Sequence, residues 1–381
     1  MSFIRESVSF SGYSNLGAFR QKRGLPASAL AKTVGVSRQT IYAIEAGNYV
    51  PNTVVAIRLA RALETTVEEL FPLPDDAPAP HLRSEQVTLL PGTEPPQPGQ
   101  AVELCQVDKR LMASLPSPVP WYFPASDAVV EDKAAREGNT RVQVFQAERE
   151  FGNRILVAGC DPGISVLAKH VQAAGVELVL AHRNSSQSLE LLHEGSIHVA
   201  GTHLRDENSG ESNVPDIGRL FTKNAVALIS FAVWEEGIVT ARGNPKGIRT
   251  VEDFARPDVT IVNREKGAGT RRLLDSSLKT LGIPPRKVQG YGQTAPGHLP
   301  AAWQVQTGAV DCCIATRAAA RVLGLDFIPL VSERYDLAIR RAHLELPGIQ
   351  TLLDTLSRSG FRRELESLGG YDTRGAGERK L

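Results

Sequence analysis

The stretch from residue 16 to 71 limits the fold of this chain more than any other. Its core reads LPASALAKTVGVSRQTIYAIEAGNYVPNTVVAIRLARALETTVEELF, beginning at Leu25. Leu30, Ala31, Val34 and Val36 recur at helix-plus-turn spacing. Gly35 stands where the helix must stop and reverse, because glycine accepts a positive φ without penalty. Ser37 has the chemistry to cap a second helix, its hydroxyl accepting an orphan backbone N–H. Within Arg38–Glu45, Ile41 and Ile44 turn inward and leave Arg38, Gln39, Thr40 and Tyr42 on or near the outer face. Two short helices joined by a tight glycine turn, the second opening on Arg, Gln and Thr, have the geometry that enters a DNA major groove. Those side chains suit guanine, adenine and thymine edges in turn.

The segment resembles the Cro-like (XRE-type) helix-turn-helix family. The resemblance rests on many positions in order: Leu30-Ala31, Val34-Gly35-Val36-Ser37, Ile41, Ile44-Glu45-Ala46-Gly47, Pro51, Ala60 to Leu63, and the closing Leu70-Phe71. It implies an all-α domain over residues 14–72 and double-stranded DNA as partner. Arg38, Gln39 and Thr40 then read bases, Ser37 opens the reading helix, and Lys32 and Tyr42 touch the backbone. The family usually opens its second helix with a phosphate-clamping glutamine, whereas this chain has Pro26-Ala27 there. Proline suits a first helical turn, so the helix survives while the clamping glutamine is absent. A bundle used only for protein contacts shows the same core pattern. In the first seventy residues Arg5, Arg20, Lys22, Arg23, Lys32, Arg38, Arg58 and Arg61 outnumber Glu6, Glu45, Glu64, Glu68 and Glu69, yet the whole chain carries only +1. Attraction to DNA must therefore come from a local patch whose grip weakens with salt. One such domain covers one half-site, so a homodimer is expected.

A length of 381 residues exceeds one small DNA-binding domain and points to two or three domains. No apolar run approaches the roughly 18–20 residues of a membrane span, and MSFIRESVSFSGYSN lacks the basic-then-apolar pattern of a secretory leader, so secretion is not expected. Cys105, Cys160, Cys312 and Cys313 lack metal-ligand spacing, which leaves reduced thiols in a cytoplasmic protein as the expectation, with no metal and no cofactor. Residues 73–100, rich in proline (PLPDDAPAPHL, LLPGTEPPQPGQ), read as an extended spacer. Residues 101–152 read as a small β-rich connector with a loop pinned by Trp121, Tyr122 and Phe123.

From residue 153 to 372 strands and helices alternate, the mark of an α/β fold with a mostly parallel sheet. RILVAG, VELVLA and SIHVA are strands that end in Cys160-Asp161-Pro162-Gly163, in His182 to Ser186, and in Gly201-Thr202-His203. A second half comes next: GIVTAR, then VTIVN running into Arg264-Glu265-Lys266-Gly267-Ala268-Gly269-Thr270-Arg271 and a helix, then AVDCCIA, then return strands at Phe327–Val331 and Tyr335–Ile339. Gly267 and Gly269 allow close backbone approach, Thr270 offers a cap and a hydroxyl, and Arg271 supplies charge, which together read as an anion cradle. Ligands of open α/β sheets sit at such carboxyl ends. Arg374 to Leu381 reads as a frayed tail.

This region resembles the periplasmic-binding-protein superfamily, type-two style, as found in bacterial regulators and beside molybdopterin biosynthesis. VAGCDPG, LAHRNSSQSL, HVAGTHL, NREKGAGTRRLLD, AAWQVQTGAVDCCIA and GGYDTRGAGE carry the resemblance. It implies a hinged, two-lobed trap whose better-known relatives hold small oxyanions such as molybdate or tungstate. Carried over, Asp161, Ser185, Ser186, Thr202, His203, Gly269, Thr270 and Arg271 face the cleft, and His298 joins them. Asp161-Pro162-Gly163 also suits an ordinary turn. No nucleophile elbow, phosphate loop or zinc-protease motif appears. The expectation is thus a ligand-responsive regulator rather than an enzyme, the alternative being an enzyme of unrecognised type with Asp161, His203 and His298 as acid–base groups.

Overall fold

The computed structural model describes residues 14–47, 49–71, 83–92, 95–116, 126–133, 138–146, 150–206 and 210–381. They fall into two compact units that part between residues 71 and 83. The first holds five short helices: α1 (Leu16–Lys22), α2 (Ala27–Val34), α3 (Arg38–Glu45), α4 (Thr53–Ala62) and α5 (Val67–Leu70). Leu16, Leu30, Val34, Ile41, Ile44, Leu59, Leu63 and Leu70 form its core. Gly35 ends α2 in the left-handed conformation at φ 79°, and Ser37 Oγ accepts from Thr40 N at 3.0 Å to start α3. Asn52 and Thr66 cap α4 and α5 in the same way, each cap contributing about 1 kcal/mol. Pro26 occupies the N-cap of α2 without a side-chain cap bond. An Arg20–Glu45 pair, 2.5 Å between Nε and Oε1, ties α1 to α3.

The second unit begins with a closed barrel of five strands: β1 (Arg83–Leu89), β2 (Ala101–Val107), β3 (Arg110–Ser114), β4 (Ala128–Val130) and β5 (Asn139–Val144), in the order β1-β3-β2-β4-β5. β1 falls inside the 73–100 stretch read as a spacer, which corrects that reading, and the 101–152 stretch read as a small β-rich connector supplies β2 to β5. β1 pairs with β5 over six residues. It turns only Val87 and Leu89 fully inward, so the prolines around it masked a weak period-two signal. Residues 72–82 and the aromatic triplet at 121–123 lie outside the described residues. Buried Arg154, the first residue of the next strand, locks the barrel to the α/β region. Its Nη1 donates to Leu104 O and Asp127 Oδ2, both at 2.5 Å, and its Nη2 to Glu177 Oε1 at 2.6 Å.

The remainder alternates as expected, through β6 (Arg154–Gly159), α6 (Ile164–Gln172), β7 (Glu177–His182), α7 (Ser185–His193), β8 (Val199–Thr202), α8 (Val214–Leu220) and β9 (Val226–Thr240). It continues with β10 (Ile261–Arg264), α9 (Gly269–Thr280), β11 (Thr294–Ala295), α10 (His298–Gln306), β12 (Cys312–Thr316), α11 (Arg317–Val322) and β13 (Asp326–Arg340). Last come α12 (Pro347–Ser357), α13 (Ser359–Ser367) and β14 (Tyr371–Asp372). The sheet order is β11-β10-β12-β9-β13-β8-β6-β7, with β14 on β9. β6, β7 and β8 build one lobe, and β10, β11 and β12 build the other. Each lobe packs apolar side chains on both faces of its part of the sheet.

The long antiparallel pair β9 and β13 runs through both lobes. Sequence reading gives two strands, Phe327–Val331 and Tyr335–Ile339, where β13 is one, and starts the strand GIVTAR at Gly237, inside β9. Gly237 produced the false break in β9: a Cβ there would overlap Ile328 O, so glycine marks close strand approach and not an end. The last residues also differ from a frayed tail. Gly377 N donates to Ser230 O at 2.8 Å and Lys380 N to Leu228 O at 2.7 Å, which docks the terminus on the edge of β9.

Candidate functional site

Strand ends of both lobes converge on a buried polar cluster. Cys160 and Asp161 leave β6, His182 ends β7, His203 leaves β8, Arg264 ends β10, and His298 opens α10. The through-running strands add Trp234, Glu236, Glu333 and Tyr335. His203 sits at the centre, with Nε2 3.4 Å from Cys160 Sγ and Nδ1 2.9 Å from Glu333 Oε2. Its ring lies edge-on to Trp234 at 4.8 Å. His298 Nδ1 is 3.8 Å from Glu236 Oε1. Arg264, only 1% exposed, pairs with Glu265 at 3.1 Å.

Several buried polar atoms here have no hydrogen-bond partner: Asp161 Oδ2, His182 Nε2, Trp234 Nε1, Glu236 Oε2, Arg264 Nη1 and both ring nitrogens of His298. A buried polar atom without a partner costs about 1–3 kcal/mol, so a cluster of them marks a site with a use. Burial works against charge on His203, yet the Cys160 sulfur and the Glu333 carboxylate outweigh it and hold the imidazole well above its usual value. His298 moves the other way, pressed well below its usual value by burial, then by Arg264 and His203. Burial, then Arg264, lowers His182 to about 4. Burial raises Asp161 to about 6 although Tyr371 and Gly163 donate to it, and burial, then Glu333, pushes Glu236 up.

The residues read from sequence divide into those inside the cluster and those that support it. Asp161, His203 and His298 lie within it. Asp161 Oδ1 accepts from Gly163 N at 2.7 Å and Tyr371 OH at 2.6 Å, so it is both turn and site. Gly269 approaches His203 so closely that a Cβ would overlap its carbonyl oxygen. Thr270 is buried and donates to Glu236 Oε1, while Ala268 stands at the N-cap of α9 without a side-chain bond, so Thr270 is not the cap. Ser185 Oγ accepts from His203 N at 3.1 Å, and Thr202 Oγ1 donates to Asn213 Oδ1 at 3.2 Å, so both hydroxyls are engaged in supporting bonds.

Ser186 and Asn184 bind across the lobes, to Gly267 O at 3.3 Å and Lys266 O at 3.1 Å. Arg271 turns away from the cluster. Helical spacing sets it on Asp275, its Nη1 donates to Arg264 O, and its guanidinium stacks on Tyr291 at 4.2 Å. The buried cation is Arg264 instead. Sequence reasoning missed Arg264, Cys160, Glu236 and Glu333 as site groups, although Glu235-Glu236 inside an otherwise apolar strand was a usable signal. A cavity of 240 Å³ adjoins the cluster, bounded by Arg205, Asp206, Gly269, Arg272 and Glu333.

On the helical unit, Lys32, Ser37, Arg38, Gln39 and Tyr42 are exposed and Thr40 is half-buried. Arg38 Nη2 donates to Tyr42 OH at 3.2 Å, and the Thr40 hydroxyl lies 2.8 Å from Ser37 Oγ. The outer face of α3 therefore presents a polar edge of the size a major groove admits.

A helix-turn-helix family model matches residues 16–70, and a model described as a PBP superfamily domain matches residues 168–357. The protein YvgK of Bacillus subtilis (strain 168) is 34% identical over 246 residues, 64% of this chain and 79% of that protein. The chain belongs to the same family as YvgK. An uncharacterized HTH-type transcriptional regulator of Methanothermobacter thermautotrophicus is 47% identical over 58 residues, 15% of this chain and 84% of its own length. A putative phosphate ABC transporter substrate-binding protein from Clostridium perfringens, solved with bound phosphate, gives a TM-score of 0.44 at 13% identity, covering 57% of this chain and 98% of that one. This family member thus joins an N-terminal helix-turn-helix to a two-lobed PBP-like domain. No helix among the described residues is long and apolar enough to cross a membrane.

Proposed function

We propose that the chain is a sequence-specific DNA-binding regulator whose activity responds to a small ligand closed between the two lobes. The observation that carries this is the set of unpartnered polar atoms at the lobe junction, in a chain that also bears an exposed reading helix. A ligand acts only through different affinities for two states. The junction supplies that difference, because Cys160 and His203 come from one lobe and Arg264 and His298 from the other. Buried Arg264 supports an anion as the ligand, and molybdate and tungstate head the candidates. Asp161, Glu236 and Glu333 restrict which anion fits, favouring one that brings a proton or travels with a cation. In this reading the protein works as a cytoplasmic homodimer on paired half-sites.

The test uses the full chain, since the barrel is locked to the lobes. Selection from random DNA yields an operator, and Arg38→Ala or Gln39→Ala is expected to weaken it by about 1–3 kcal/mol with relaxed preference at one base. Molybdate, tungstate, phosphate, sulfate and organic acids are then screened for a rise in melting temperature and a change in operator affinity. A folded protein that selects no operator sinks the DNA reading. An operator that no ligand modulates sinks the sensor reading.

A further inference from the structure

Cys160, His203 and His298 are brought together from two lobes, and their ligand atoms all lie within 4.8 Å of one another. We propose that these three residues form a site for a divalent transition-metal ion of the zinc class, and that the bound ion latches the lobes together. The inference rests on the reading of the lobes as a ligand-closed trap, but not on the ligand being an anion.

The donor set is a thiol and two imidazoles, which suits zinc-class ions and not the oxygen-seeking magnesium or calcium. Three atoms no more than 4.8 Å apart share a centre within about 2.8 Å of each, and a small contraction reaches the Zn–N and Zn–S lengths of about 2.0–2.3 Å. Cys160 Sγ and His203 Nε2, 3.4 Å apart, already have the separation that two ligands of one tetrahedral ion take, about 3.5 Å.

The surroundings fit as well. A metal-bound histidine usually gives its other N–H to a carboxylate, which fixes the ring. Glu333, 2.9 Å from His203 Nδ1, takes that place for His203, while Glu236, 3.8 Å from His298 Nδ1, is beyond hydrogen-bond distance. His298 is fully buried with both ring nitrogens unpartnered, an independent sign that the pocket expects a ligand. Three protein donors leave a fourth position for a bound ligand, and the 240 Å³ cavity is lined by Gly269 and Glu333, both of which touch His203. Binding exchanges protons for the ion: the thiol proton and any proton on the ligating ring nitrogens go to solvent. Because Cys160 and His203 belong to one lobe and His298 to the other, the ion bonds fully only when the lobes are shut.

The experiment titrates chelator-treated full-length chain with Co²⁺ and follows the thiolate-to-cobalt absorption, then adds Zn²⁺ as competitor. We expect saturation at one ion per chain, proton release, displacement by Zn²⁺, and a changed operator affinity. Cys160→Ser should abolish the absorption band. His298→Gln and Glu333→Gln should each weaken binding, the latter about 10–100-fold. Melting temperature without metal and operator binding report whether each variant is folded. A folded wild-type chain with no thiolate band overturns the site, as does a band that survives Cys160→Ser. If metals do nothing and an oxyanion modulates operator binding, the metal inference falls and the regulator stands. If the ion binds as described but the chain selects no operator, the regulator reading falls and the site stands.

Discussion

Replacing Arg264 by methionine separates a site residue from a structural one. The guanidinium is 1% exposed, its Nε and Nη2 reach Glu265 at 3.1 and 3.2 Å, and its Nη1 donates to nothing. Burying a cation costs several kcal/mol, and the unpartnered Nη1 adds about 1–3 kcal/mol. Compensation comes from Glu265, a carboxylate 27% exposed and therefore partly screened, worth about 1 kcal/mol, and from the attraction of buried Glu236. Methionine has similar volume and fills the space without the charge. Removing the cation relieves that cost but strands the Glu265 and Glu236 carboxylates it faces, so the two terms oppose and the net change in stability is expected to stay within about 1 kcal/mol. It should at the same time lose an anion's charge-assisted bond, about 1.5–3 kcal/mol or roughly 10–100-fold in affinity. Urea unfolding and ligand-dependent operator binding read the two effects side by side. A loss of about 3 kcal/mol with the ligand response intact would refute the reasoning, because Arg264 would then be a structural cation.

Gly269→Ala places a methyl group against the His203 carbonyl oxygen, so it should hold the lobes apart: scattering in saturating ligand is expected to stay at the open value, and wild-type closure would count against the junction as the site. Asp127→Ala removes the carboxylate that accepts from Arg154 Nη1 and from Leu104 N, and should cost about 3–5 kcal/mol in urea unfolding. A cost below about 1 kcal/mol would mean that the barrel is not locked by this pair. Burial, then the neighbouring His343, lowers His198 to about 4, and its Nδ1 accepts from Leu156 N. The unfolded chain takes this proton first, so stability present above about pH 6.5 should fall by about 3 kcal/mol on the way to pH 4. His198→Asn keeps the acceptor and should flatten that slope; parallel pH curves for the two proteins would rule the linkage out.

The two regions were legible from sequence to different depths. The helical unit was readable almost residue by residue. Its cap at Ser37, turn at Gly35 and buried Ile41 and Ile44 all act within a few positions of themselves. The lobes were readable as alternating strands and helices, but β1 was lost among prolines and Gly237 passed for a strand end. Arg271 looked like the site cation because it comes directly after GAGT, yet its place on α9 turns it to Asp275 and Tyr291.

What the sequence determined alone was therefore whatever local periodicity encodes: the helix pair and its outer face, the α/β alternation, and the polar strand ends. Tertiary structure decided which strand ends meet. His203 joins Cys160 across 43 residues and Glu333 across 130. Those contacts arise only when β9 and β13 pair along their whole length and bring the lobes over one another. No short-range pattern records such a meeting, because each residue is placed by the packing of its own strand or helix and the site is where several of them end.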